Sequence, residues 1–176
     1  MTSNKDIKRY ELTDVSKVNE WGYTVYQIRA LVDMPAIGVR SGDLGGWVET
    51  ELLKSGDARV SGAAWVSGDA QVFGAAQVSG AAQVSGAAQV EKTWEVLVVA
   101  PIGSESVTAT LYRTKNGKHC LHVGCWEGTL GTLMAEVTRR RVGWRADEAT
   151  QDMWMAQYKA LKALGKATVA RWEAEA

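Results

Sequence analysis

The sequence predicts a mainly β protein built around a short parallel β-helix, with a β segment before the β-helix and an α+β segment after it. Seven valines recur at intervals of six residues without a break, from Val60 to Val96. A period of six matches neither the α-helical period of about 3.6 residues nor the alternation of a strand, and it is typical of a parallel β-helix. Each hexapeptide is therefore expected to form one short strand and one corner.

The residue types within the hexapeptides favour this geometry. Valine is β-branched and suits a buried pleated surface, while alanine follows four positions later and glycine two positions later, where a corner needs permissive backbone angles. If three hexapeptides complete one coil, residues eighteen apart in the chain stack at about 4.8 Å. The predicted inward columns are Val48, Val66, Val84 and Ile102; Val60, Val78 and Val96; and Lys54 or Leu53 with Val72 and Val90. The outward columns are Trp47, Trp65 and Gln83, and Leu53, Gln71 and Gln89.

The repeats divide the chain into three predicted segments. Residues 1–47 form an N-terminal β cap, residues 48–102 form the β-helix, and residues 103–176 form a C-terminal domain with a β-hairpin and α-helices. The open end of a parallel stack exposes backbone hydrogen-bonding groups, so both ends are expected to be covered. Strands are predicted at Lys8–Leu12, Thr24–Leu31, Val96–Ile102, Ser106–Arg113 and Lys118–Gly124.

Turn and capping residues place the C-terminal elements. Asn116-Gly117 predicts a tight hairpin between two strands. Thr129 predicts the start of one helix, and Asp147 predicts the start of a second helix. The second helix is expected to pause near Gly165.

Several motifs carry a resemblance to a known family. The phrase Val78-Ser-Gly-Ala-Ala-Gln resembles the repeat of hexapeptide-repeat, left-handed β-helix proteins. Gly42-Asp-Leu-Gly-Gly-Trp-Val-Glu49 and Gly124-Cys-Trp-Glu-Gly-Thr-Leu130 resemble the flanking segments of phage- and prophage-encoded members. The resemblance implies left-handed coils and self-association, since proteins of this type resemble one another in forming trimers. The tail after Arg139 departs from the pattern.

Composition limits the partners and the compartment. The chain carries 20 basic and 20 acidic residues, so its zero net charge gives no bulk attraction to nucleic acid or to a membrane. Two cysteines, no signal-like segment and no long apolar run indicate a cytoplasmic protein. The resemblance to phage-encoded proteins implies that this is the cytoplasm of the host cell. We expect no membrane partner, and nucleic acid is a disfavoured partner.

The repeats are poor in catalytic groups. Hexapeptide acyltransferases resemble one another in using a histidine base, but residues 48–102 contain no histidine, cysteine or tyrosine. His119, Cys120, His122 and Cys125 are the clustered soft ligands, yet neighbours on a strand point to opposite faces, so four of them cannot converge on one ion. The sequence thus predicts no catalytic residue, no metal site and no cofactor.

Two groups of residues are candidates for binding. Trp47 and Trp65 share an outward column, and exposed aromatic patches mark contacts, although the N-terminal segment could cover this column instead. The basic cluster Arg139, Arg140, Arg141 and Arg145 suits a phosphate or an acidic partner. The alternative is a helix C-terminus, where positive charge is favourable.

The absence of catalytic groups from the repeats predicts a non-enzymatic protein that acts by protein binding. The resemblance implies a phage accessory protein, with inhibition of a host or anti-phage defence protein as its expected role. The expected partners are further copies of itself, as a dimer or trimer, and an unidentified host or phage protein. One alternative is a hexapeptide-type acyltransferase with a displaced active site, which a bound acyl carrier would favour. The other is a structural spacer of the virion. A stable stoichiometric complex from host lysate would favour the binding protein.

Overall fold

The computed structural model describes residues 10–18, 24–33, 40–49, 53–56, 59–61, 64–66, 70–74 and 76–174. The chain divides into two compact units, residues 1–96 and 97–176. The strands up to residue 90 are β1 (Tyr10–Val18), β2 (Thr24–Ala30), β3 (Leu44–Val48), β4 (Leu53–Gly56), β5 (Arg59–Val60), β6 (Trp65–Val66), β7 (Gln71–Gly74), β8 (Gln77–Val78), β9 (Gln83–Val84) and β10 (Gln89–Val90). A 3-10 helix at Thr93–Glu95 precedes β11 (Val96–Ile102), β12 (Val107–Arg113), β13 (His119–Val123), β14 (Trp126–Gly128), α1 (Leu133–Arg141) and α2 (Glu148–Ala174).

The first unit begins with antiparallel strands that lead into parallel pairs. β1 pairs with β2, and β2 pairs with β3, both antiparallel. β3 then pairs with β6, and β6 with β9, both parallel, within one sheet. Separate parallel sheets contain β10, β7 and β4, and β5 with β8.

The eighteen-residue register predicted from the repeats is confirmed in these parallel pairs. Val66 aligns with Val84, Val60 with Val78 and Val72 with Val90. Leu53, rather than Lys54, aligns with Val72. The valines are closed to solvent, since Val66, Val72, Val78, Val84 and Val90 have no exposed surface. The columns do not extend to Val96 and Ile102, because both lie in β11, which joins the antiparallel sheet of β12.

The predicted fold class, a mainly β protein built on a left-handed parallel β-helix, is wrong. Most of the parallel pairs are two residues long, and among the described residues no sheet closes or forms a solenoid. Antiparallel sheets and a 27-residue helix make the structure mixed α and β. Most of the glycine- and alanine-rich hexapeptides offer only two residues for strand pairing, a polar or aromatic residue and the valine that follows it. The longer strands lie in the flanking sequence, which supplies more β-branched residues.

The second unit is an antiparallel sheet with two helices. Its strand order is β11, β12, β13, β14. The hairpin predicted at Asn116-Gly117 is confirmed: Gly117 has a φ of 75° and its N–H donates to the Thr114 carbonyl at 2.9 Å. The three-segment division of the chain stays a prediction.

The two predicted helices are present with shifted boundaries. Thr129 starts a turn that precedes α1, because its carbonyl accepts from the N–H groups of Thr132 and Leu133. Asp147 caps α2, accepting from the Thr150 N–H at 2.9 Å. The predicted pause at Gly165 is wrong, since α2 runs through it. A Cβ at Gly165 would lie 2.6 Å from a Leu130 methyl carbon, so the glycine allows close packing rather than ending the helix.

Candidate functional site

A cavity of about 370 Å³ lies in the second unit between strands β12 and β13 and helices α1 and α2. Its apolar lining comes from one valine on each strand and one on α1, and its walls are aromatic. The rim carries one acidic, one basic and one thiol side chain. The lining residues are Ser104, Glu105, Val107, Val123, Cys125, Val137, Arg140, Gly143, Trp144 and Tyr158.

Aromatic contacts hold the walls in place. The rings of Trp144 and Tyr158 stack with centroids 6.4 Å apart, and Trp144 packs edge-on against Trp154 at 5.4 Å. The Gly103 N–H donates to Gln157 Oε1 at 2.9 Å, which brings the loop after β11 against α2. Burial raises the pKa of Tyr158, and the negative charge of Glu105 raises it further, so the phenol stays protonated at neutral pH.

Three of the four arginines of the predicted cluster take part in local ion pairs. Arg139, Arg140 and Arg141 occupy the last turn of α1, where the alternative interpretation placed them. Glu136 accepts from both Arg139 and Arg140, and these hydrogen bonds lower its pKa to about 2. Arg141 pairs with Asp152 at 2.8 Å. Of the predicted basic residues only Arg140 lines the cavity, and the exposed Arg145 lies outside its lining.

The predicted tryptophan pair lies in the first unit. Trp47 on β3 aligns with Trp65 on β6, as the repeat register predicts. Lys17 of β1 places its Nζ 4.2 Å from the Trp47 ring centroid, so the N-terminal strand partly covers this residue. The arginines belong to the second unit, so the two candidate groups are parts of different units.

The histidines and cysteines separate as the strand alternation predicts. His119 accepts a hydrogen bond from the Leu130 N–H at 3.2 Å, and Cys125 is exposed with its sulfur 4.0 Å from Arg140 Nη2. Cys120 and His122 share the opposite face of β13.

A third donor, Glu127, which the strand alternation of residues 119–125 does not predict, joins Cys120 and His122. Glu127 on β14 stands directly across from His122, and one donor atom from each of the three side chains lies within 4.8 Å of the other two. His122 Nε2 is 3.6 Å from a Glu127 carboxylate oxygen and 2.9 Å from the Tyr112 hydroxyl. The signal lies in the tight turn at Gly124-Cys125, which places residues 122 and 127 opposite each other.

Burial sets the protonation of this cluster. Desolvation raises the pKa of Cys120 to about 11, so its sulfur is a thiol at neutral pH and not a nucleophile. Desolvation also lowers the pKa of His122, against the opposing charge of Glu127, which keeps the imidazole neutral. The cluster therefore offers a neutral nitrogen and a thiol whose ionisation needs a positive charge beside it.

No protein-family model, curated protein or solved structure matches this chain. Within the described residues no helix is both long and apolar enough to span a membrane.

Proposed function

We propose that this chain is a non-enzymatic accessory protein of phage type that acts by binding another protein in the cytoplasm of the host cell. The cavity walled by Arg140, Trp144 and Tyr158 is the observation that carries the proposal. Tryptophan, tyrosine and arginine are the residues most enriched at interface hot spots, especially around small desolvated depressions. The stacked aromatic walls give the cavity a fixed shape, which limits the entropy lost on binding.

The occupant that best fits the cavity is one large apolar side chain of the partner protein. Val107, Val123 and Val137 supply its apolar lining, which suits an apolar anchor side chain. Arg140 and Arg139 share the single carboxylate of Glu136, so one net positive charge remains beside the apolar lining. Glu105 and Arg140 then form a polar rim around the apolar anchor.

The choice of a binding role over an enzyme rests on the available side chains. Histidine is missing from the residues that line the cavity, and the repeats contain no histidine, cysteine or tyrosine. The resemblance to phage-encoded hexapeptide-repeat proteins supports a host or anti-phage defence protein as the bound partner, with inhibition as the consequence.

A variant that fills the cavity tests the proposal. We expect Cys125→Trp to reduce recovery of the bound protein at least about 10-fold in affinity capture from host lysate, because the exposed thiol borders the cavity and the indole would occupy it. Quantitative mass spectrometry of the captured proteins provides the measurement. Cys125→Ser keeps the cavity open, and Lys115→Trp adds the same indole on the exposed hairpin turn outside the lining.

A protein retained by the wild type and both controls but lost from Cys125→Trp supports the proposal. Equal recovery with Cys125→Trp, or the absence of any stoichiometric partner in host lysate, contradicts it. Circular dichroism of each variant shows whether the fold is unchanged.

Self-association is a second prediction, and it concerns the first unit. Val15 and Val18, both on β1, are 54% and 66% exposed, so this strand carries apolar surface that a partner could cover. We expect a dimer or trimer, because a second copy that covers these side chains would remove them from water. Light scattering coupled to size exclusion should give two or three times the chain mass of 19.1 kDa.

Val15→Lys with Val18→Lys should shift the protein to a monomer, since β1 carries both exposed side chains. A single 19.1 kDa species for the wild type at micromolar concentration would rule out the oligomer.

A further inference from the structure

We infer that Cys120, His122 and Glu127 form a binding site for a transition-metal ion of the zinc(II) class. The three donors are sulfur, nitrogen and oxygen, which together suit zinc(II) and cobalt(II) and are unsuited to calcium or magnesium. The inference is independent of the proposed protein binding, because the cluster shares no residue with the lining of the cavity.

Strand geometry brings the donors together. Cys120 and His122 are two residues apart on β13, so their side chains leave the same face of the sheet. Glu127 is the direct antiparallel partner of His122, and such cross-strand neighbours bring their side chains close. Sites supported by paired strands are held more precisely than sites on loops.

The separations between the donor atoms are near those of a metal-bound site. In a tetrahedral zinc site, neighbouring donor atoms lie about 3.3–3.8 Å apart, given bond lengths of about 2.0–2.3 Å. His122 Nε2 and the Glu127 oxygen are already 3.6 Å apart, and all three donors lie within 4.8 Å. Rotation of the exposed Glu127 and the half-buried Cys120 side chains would close the remaining gap of about 1 Å. A fourth position stays open for water or another ligand.

Tyr112 completes the surroundings of the site. Its hydroxyl lies 2.9 Å from His122 Nε2 and also hydrogen-bonds the Cys120 side chain. Once a metal ion takes the imidazole nitrogen, the phenol can donate to the sulfur, as outer partners of metal ligands commonly do. Tyr112 is the direct cross-strand partner of Cys120, so its side chain lies on the face that carries the three donors.

The chain supplies its own matched controls, because it contains two cysteines and two histidines, and one of each lies outside the cluster. The full chain is stripped of metal with a chelator, desalted and titrated with cobalt(II), and then with zinc(II) in competition. We expect one cobalt ion per chain and an absorption band from thiolate-to-cobalt charge transfer. Cys120→Ser should abolish that band, whereas Cys125→Ser should retain it.

Zinc affinity should also fall in variants of the cluster and stay unchanged in variants outside it. Glu127→Gln should weaken binding at least about 10-fold, since even outer partners of metal ligands contribute about 10–100-fold. His119→Gln should leave the affinity unchanged, because His119 bonds the Leu130 N–H on the other face. Glu127 is exposed, so its variant tests the site even if Cys120→Ser fails to fold.

The inference is overturned if the wild type shows no charge-transfer band, if the band survives Cys120→Ser, or if Cys125→Ser removes it. It is also overturned if Glu127→Gln and His119→Gln bind zinc equally well. The last result would mean that Tyr112, His122 and Glu127 form only a structural hydrogen-bonded group.

Discussion

Replacing Val78 with aspartate is expected to unfold the parallel part of the first unit. Val78 has no exposed surface and aligns with Val60 on the neighbouring strand. A carboxylate there would be buried among apolar side chains without a partner, which destabilises a small unit by more than about 4 kcal/mol. Because native domains are stable by only about 5–15 kcal/mol, we expect loss of the folded signal for this unit at room temperature.

Urea denaturation followed by circular dichroism measures the effect, with Gln77→Asp as the matched control. Gln77 precedes Val78 on the same two-residue strand, but its side chain is exposed. The free energy of unfolding of Gln77→Asp should therefore lie within about 0.5 kcal/mol of the wild-type value. Similar stability for the two variants would show that Val78 does not face a closed interior.

The hexapeptide period predicts the register of the repeats and fails to predict the fold class, for one physical reason. The register of paired strands depends on which residues are apolar, and the six-residue spacing of the valines identifies those residues. Fold class depends on how far each pairing extends, and the glycines and alanines between the valines leave pairs such as β8 and β9 only two residues long. The antiparallel sheets and the two helices form in the segments before and after the repeats, and they make the fold mixed α and β.

For the candidate sites, features that depend on neighbouring residues are predictable from the sequence, whereas contacts between separate elements are not. The hairpin at Asn116-Gly117 and the separation of His119 from Cys120 follow from local rules and are confirmed. The approach of Glu127 to His122 depends on the pairing of β13 with β14, which strand patterns alone leave open. The cavity depends on Tyr158 reaching the sheet from α2. The spacing of Trp154, Tyr158 and Leu161 predicts a shared helix face, but it does not indicate which strands that face contacts.

Gly103→Ala is expected to destabilise the second unit and to distort the cavity. Gly103 has a φ of 71°, a conformation that costs an alanine about 1–2 kcal/mol. A Cβ there would also collide with the hydroxyl and ring of Tyr158, which forms one wall of the cavity. Displacing this buried ring is expected to add about 1–3 kcal/mol, as in other overpacked sites. Thermal and urea denaturation of the full chain measure the total.

Gly117→Ala separates the two contributions. Gly117 has nearly the same φ, 75°, but a Cβ there would meet no atom within 4 Å, so this variant reports the backbone cost alone. The difference between the two alanine variants then measures the collision with Tyr158. Because Trp144 stacks on Tyr158, Gly103→Ala should also change the tryptophan fluorescence, whereas Gly117→Ala should not. Equal destabilisation by the two variants would mean that the loop after β11 yields freely and that Tyr158 is not a fixed wall of the binding cavity.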